Sequence, residues 1–140
     1  MSQRPFKILS IEHVGVAVDD LNGISDIFGQ LLGLELQSRE RVDDQQVITD
    51  IYKTGSGKLE FLKATSKDSP IARFIDKKGS GMHHIALVVD HLQPALDYLQ
   101  EKGIVLIDKK PRIGAEGHSI AFIHPKSTGG ILVELCEKKK

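Results

Sequence analysis

Apolar and polar residues alternate from Ile8 to Val18, the pattern of a half-buried strand. One face reads Glu12, Val14, Val16 and Val18; the other reads Ile11, His13, Gly15 and Ala17, so a histidine stands among very small side chains. The Asp19-Asp20 pair supplies an N-cap. Ile24, Ile27, Phe28, Leu31 and Leu32 then recur at helical spacing until Gly33, which predicts an amphipathic helix with one apolar stripe. Three further strands follow, LELQSRERV, QVITDIYKT and GKLEFLKA, divided by the turns DDQQ and GSG. In the last of them Leu59 and Phe61 share a face, which sends Glu60 to the side used by His13.

The same order of elements then returns. HVGVAVDD at 13–20 aligns with HIALVVDH at 84–91, placing His84 over His13 and Asp90 over Asp19, about half a chain later. Leu21, Asp26 and Phe28 fall on Leu92, Asp97 and Leu99. HLQPALDYLQEKG predicts a helix with Leu92, Ala95, Leu96 and Leu99 on one stripe, in which Pro94 is tolerated only in the first turn. Strands are expected near 104–109, 118–124 and 130–136. In the last, Ile131, Val133 and Leu135 pack one way, so Leu132, Glu134 and Cys136 look the other. The joining segment TSKDSPIARFIDKKGSG carries a helix start, with Ser69 as N-cap, Pro70 at the first position and an apolar side of Ile71, Phe74 and Ile75. The reading is an α+β fold of two βαβββ modules related by a pseudo-twofold rotation. Module 1 spans about 8–66, a linker helix about 67–79 and module 2 about 80–137. A module of this size is marginal alone, so one domain is expected over 1–140.

The repeat also singles out chemistry. A lone strand histidine is usually structural and a lone strand glutamate usually solvated, but a structural accident need not recur in register. His13 and Glu60 from one module match His84 and Glu134 from the other, and a pseudo-twofold fold brings all four to one concave surface. Two imidazoles and two carboxylates suit a divalent ion such as cobalt, zinc, nickel or manganese, with two coordination positions left open in an octahedral site. His83 lies on the helix-facing side and reads as structural. His124, in the turn IHPKSTGG, braces its loop, and His91 and His118 are expected at the surface.

Composition narrows the partners. Lysine plus arginine and aspartate plus glutamate both number 19, so no net field draws the chain to nucleic acid or an anionic membrane. No run reaches the length of a spanning helix and the N-terminus lacks a secretory apolar core, so neither a membrane partner nor export is expected. The single Cys136 forms no internal disulfide, which suits a cytoplasmic location. Lys138, Lys139 and Lys140 read as a solvated tail.

The paired modules, each with one His and one Glu, resemble the vicinal oxygen chelate (glyoxalase I-like) superfamily. DSPIARFIDKKGSGMHHIALVVD, IGAEGHSIAFIHPKSTGGILVEL and the N-terminal HVGVAVDD are more closely similar to the methylmalonyl-CoA epimerase family. That resemblance implies metal ligands at His13, Glu60, His84 and Glu134, an acyl-CoA thioester substrate and a homodimer. It implies α-proton abstraction with Glu134 as base. Some epimerases carry a second acid or base in the strand QVITDIYKT; ungapped alignment puts Thr49 there, beside Asp50, which becomes the candidate second proton carrier. Several epimerases have glutamine where this chain has Glu60, and glutamate there is the glyoxalase I pattern. A glyoxalase I-type lactoylglutathione lyase is therefore the alternative enzyme, and a metal-free small-molecule-binding protein of the same fold is the alternative outside enzymes.

Overall fold

The computed structural model describes residues 3–139 and divides into two compact units, one running from His13 to His83, the other combining residues up to Glu12 with those from His84 onward. The first unit carries the second half of β1 (Ile8–Ala17), a helix, β2 (Glu35–Val42), β3 (Val47–Lys53), β4 (Lys58–Ala64) and α2 (Pro70–Lys78). Its strands lie in the order β2-β3-β4-β1, with β1 and β4 parallel and the other neighbours antiparallel. The second unit holds β5 (Gly81–Val89, from His84 onward), α3 (Leu92–Glu101), β6 (Arg112–Ile113), β7 (Ser119–Ile123) and β8 (Leu132–Glu137) in the order β5-β8-β7-β6. Here β5 and β8 are parallel, and β8, β7 and β6 are antiparallel. The predicted βαβββ order is present in both.

Alternation decides which face each residue serves. On one side of the first sheet Val18, Tyr52 and Phe61 are buried with Leu21, and Val16, Ile24, Phe28 and Leu59 pack around them. On the other side Ala17, Val47, Leu62 and Ile71 form a second cluster, with Phe74 and Ile75 of α2 against it. So α2 covers part of the face that also carries His13 and Glu60. Its start is as expected: the Ser69 hydroxyl accepts from the Ile71 amide at 3.1 Å, and Pro70 takes the first position. The second unit buries Val89, Leu92, Ala95, Leu96, Ala121, Ile123 and Leu135 together with Phe6 from the N-terminal segment. Pro94 falls in the first turn of α3, where its missing amide costs nothing.

Three expectations fail for physical reasons. The helix after Asp20 begins as α1 (Leu21–Ile24) but continues over Ser25–Leu31 in the wider π form, closed by Leu32 N donating to Ile27 O at 2.8 Å. The wider turn takes the apolar spacing out of register: Ile24 and Phe28 reach the core while Ile27, Leu31 and Leu32 are exposed at 51%, 80% and 63%. The strand expected at 104–109 is reduced to a single bridge between Leu106 and Ile123. Beyond it, Ile107 N and Asp108 N both turn to Phe122 O, and the Asp108 carboxylate takes the Phe122 amide at 2.9 Å, where a strand carbonyl would stand. Pro111 has no amide to offer, and pairing resumes only at Arg112–Ile113. The C-terminal lysines are not merely solvated. Lys138 Nζ lies 3.3 Å from the buried Glu12 carboxylate, and the Lys139 amide donates to His118 Nδ1 at 2.8 Å; Lys140 lies outside the described residues.

Candidate metal centre

Each unit builds a histidine-carboxylate pair in the same way. In the first, parallel β1 and β4 are aligned so that Gly15 stands beside Glu60 and His13 beside Lys58. In the second, parallel β5 and β8 put Ala86 beside Glu134 and His84 beside Leu132. The residue level with each acid is therefore glycine or alanine, and the histidine two positions earlier on the same face reaches over that small side chain. His13 Nδ1 lies 3.1 Å from Glu60 Oε2, and His84 Nε2 lies 3.8 Å from Glu134 Oε1. All four side chains are buried, with relative exposures of 6% for His13, 9% for Glu60, 7% for His84 and 7% for Glu134. Buried ionisable groups need partners, and imidazole nitrogens next to carboxylate oxygens are also a donor set suited to a divalent ion.

The surroundings differ between the pairs. Level with Glu134 on β7 stands Phe122, whose ring meets the His84 ring edge-on at 6.1 Å, and the Arg112 guanidinium lies over Phe122 at 5.3 Å. Level with Glu60 on β3 stands Ile51, which is 1% exposed. Phe122 was not singled out from the sequence, although its alternation with Ala121 and Ile123 would have placed it on the Glu134 face.

Asp50 does not join the His13 pair. It alternates with Thr49 and Ile51 on β3 and shares the helix-facing side with Ile48 and Tyr52. There the Arg39 guanidinium holds it bidentately, Nε to Oδ1 at 2.6 Å and a terminal nitrogen to Oδ2 at 2.9 Å, with the carboxylate only 1% exposed. The hydrogen bond that Arg39 donates to Asp50, and then the Asp50 charge, raise the Arg39 pKa. The expectation of Asp50 as proton carrier thus meets a carboxylate engaged by an arginine on the opposite face. Thr49, on the His13 face, is buried and has no acid to offer.

The other histidines divide as follows. His83 packs edge-on against Phe74 at 4.9 Å, and burial, with the nearby Lys78 charge second, lowers its pKa from the ordinary 6.5. His124 caps its turn by accepting the Lys126 amide at 3.1 Å on Nδ1, as expected. His91 is exposed, whereas His118 is half-buried, 3.3 Å from Glu116.

The sequence model of the Glyoxalase/Bleomycin resistance protein/Dioxygenase superfamily matches residues 12–122. An uncharacterised Bacillus subtilis (strain 168) protein, YqjC, is 41% identical over 129 residues, covering 92% of each chain. The mitochondrial methylmalonyl-CoA epimerase of Homo sapiens is 36% identical over 126 residues, 89% of this chain and 72% of that protein. A solved structure of methylmalonyl-CoA epimerase in complex with methylmalonyl-CoA and NH4+ superimposes with a TM-score of 0.87 at 29% identity, covering 94% of this chain and 96% of that one. Matching fold, matching length and a sequence model spanning most of the chain agree: the chain has the glyoxalase-like fold and belongs to the glyoxalase/bleomycin resistance protein/dioxygenase superfamily, alongside the methylmalonyl-CoA epimerases.

Proposed function

We propose that the protein is a metal-dependent epimerase that interconverts (R)- and (S)-methylmalonyl-CoA. The observation that carries this reading is the buried His-Glu pair repeated in one register in both units, in a chain whose relatives include methylmalonyl-CoA epimerases over most of its length. In this reading the chain acts as a single domain, and His13, Glu60, His84 and Glu134 together hold one divalent ion of the cobalt, zinc, nickel or manganese type. When bound, such an ion supplies positive charge where the thioester oxygen becomes an oxyanion.

The chain's own groups do the remainder. Glu134 would take the proton from the carbon between thioester and carboxylate on one of its carboxylate oxygens. Its burial and the Phe122 ring beside it exclude bulk water from the proton in transit. Asp50 is not assigned the return of the proton on the opposite face, because its carboxylate is committed to Arg39. The acyl-CoA lies against the His84 and Glu134 face, the protein pairs as a homodimer and it works in the cytoplasm. The exposed Ile27, Leu31 and Leu32 favour self-association, and no helix among the described residues is long and apolar enough to cross a membrane.

The test is exchange of the α-proton of methylmalonyl-CoA in deuterated water, followed by NMR with metal-loaded wild type and Glu134→Ala. Fast exchange that the substitution removes supports the reading. No exchange by wild type, together with turnover of a glutathione hemithioacetal, would replace it with the lactoylglutathione lyase reading.

A further inference from the structure

The helix-facing sides of the two sheets are matched in position and unlike in bulk. Strand register makes the match explicit: Tyr52 stands level with Leu59 and Ile123 level with Val133, while Phe61 corresponds to Leu135. The sequence repeat adds Phe28 against Leu99. In the first unit three aromatic rings fill the space under the helix, Phe28 against Phe61 at 4.8 Å and Tyr52 edge-on to Phe61 at 5.7 Å. In the second unit the three corresponding side chains are Leu99, Leu135 and Ile123. These three, with Leu87 and Val133, wall an open cavity of about 540 Å³ bordered by Arg4, Phe6, Lys7 and Ile8.

We infer that this cavity is a binding site for a medium-chain alkyl carboxylate. Its volume lies within the roughly 300–1,000 Å³ of small-molecule pockets, and its walls are aliphatic, the usual composition of a site that takes a flexible chain. The polar elements at its edge are cationic: Arg4 and Lys7 are both exposed and both line it. The Asp90 carboxylate accepts the Lys7 backbone amide at 2.7 Å, which anchors the segment through its main chain and not through the Lys7 ammonium group. Phe6, 7% exposed and edge-on to Tyr98 at 5.9 Å, fixes the other end of the border. An alkyl chain against the aliphatic wall and a carboxylate at Arg4 and Lys7 satisfy both halves of the cavity. The site is separate from the metal centre, since Leu87, Val133 and Leu135 point to the opposite side of the sheet from His84 and Glu134. It does not depend on the reaction proposed above.

The experiment titrates the full-length protein with hexanoate, octanoate and decanoate, following backbone amide shifts by NMR, with octanol as the uncharged probe. Saturable shifts confined to residues 4–8, strands β5, β7 and β8 and helix α3 are expected, with Kd falling about fourfold per added methylene. Arg4→Ser and Lys7→Ser should each weaken octanoate several-fold and leave octanol unchanged. Leu99→Phe, which restores the ring of the first unit, should abolish binding, and Leu87→Phe does the same if the first variant misfolds. Absence of shifts at millimolar octanoate, or binding that survives both phenylalanine variants, overturns the inference. So does loss of self-association in Leu99→Phe by sedimentation without carboxylate binding, which would assign the cavity to a second copy of the chain.

Discussion

The two units keep one surface alike and let the other diverge. On the side of the His-Glu pairs, histidine, small residue and carboxylate occupy the same register in β1/β4 and β5/β8. On the helix side, the first unit has a polar and aromatic interior, with Asp50, Tyr52 and Phe61, and the second an aliphatic one at the matched positions, with Ala121, Ile123 and Leu135. Even the helix starts differ: Asp20 caps its own helix through the Asn22 amide at 2.9 Å, whereas the amide of Leu92 is capped by Glu137 from the end of β8 at 2.7 Å. A shared metal site, as proposed, would tolerate no drift in that register, while a core asks mainly that its volume be filled.

The sharpest way to break the equivalence is to neutralise the matched acids one at a time. If Glu134 alone moves the proton, Glu134→Gln lowers the α-proton exchange rate by about 10²–10⁴-fold, the range of general acid-base catalysis, and Glu60→Gln retains most of it. Equal losses would make both acids simple ligands. Next in size, Arg39→Ala leaves the buried Asp50 without its half-exposed cation and should cost about 1–3 kcal/mol in urea unfolding. Arg39→Leu combined with Asp50→Ala, which copies Ala121, should recover most of that, because no buried carboxylate is then left without its cation. Phe61→Leu, which copies Leu135, should cost about 1–2 kcal/mol by the same measurement and open a cavity beside Phe28 and Tyr52.

The smallest effect concerns the anchor of the N-terminal segment. The Lys7 amide holds the Asp90 carboxyl below its usual 3.8, with His91 charge a lesser cause and desolvation opposing. A depressed carboxyl pKa stabilises the fold above the unfolded value and stops doing so as pH falls through the folded one. Wild type should therefore unfold at slightly higher urea than Asp90→Asn at neutral pH. That margin should be full above about pH 3.8 and vanish in stronger acid.

Much of this was legible because period-2 alternation and the repeat reinforce each other. His13 over His84 and Glu60 over Glu134 could be read from spacing alone, and so could the Ser69-Pro70 helix start. Three features were not. The π turns after Ile24 follow from a backbone choice that the apolar pattern conceals, so a stripe expected inside ends outside at Leu31 and Leu32. Asp108 replaces a ladder carbonyl by a side chain, a competition that a run such as IVLID does not announce. Asp50 looked available because ungapped alignment gives its neighbourhood but not its face, and Arg39, its partner, comes from another strand.

One strand carries both of the second unit's surfaces. In β8, Glu134 is flanked by Val133 and Leu135, so the acid and two walls of the cavity are consecutive residues. Substitution can adjust either surface separately. Insertion or deletion cannot: a single added or missing residue upstream in β8 would turn the carboxylate into the aliphatic interior and present two hydrocarbons to the histidine. This stretch should accept many changes of letter and no change of length.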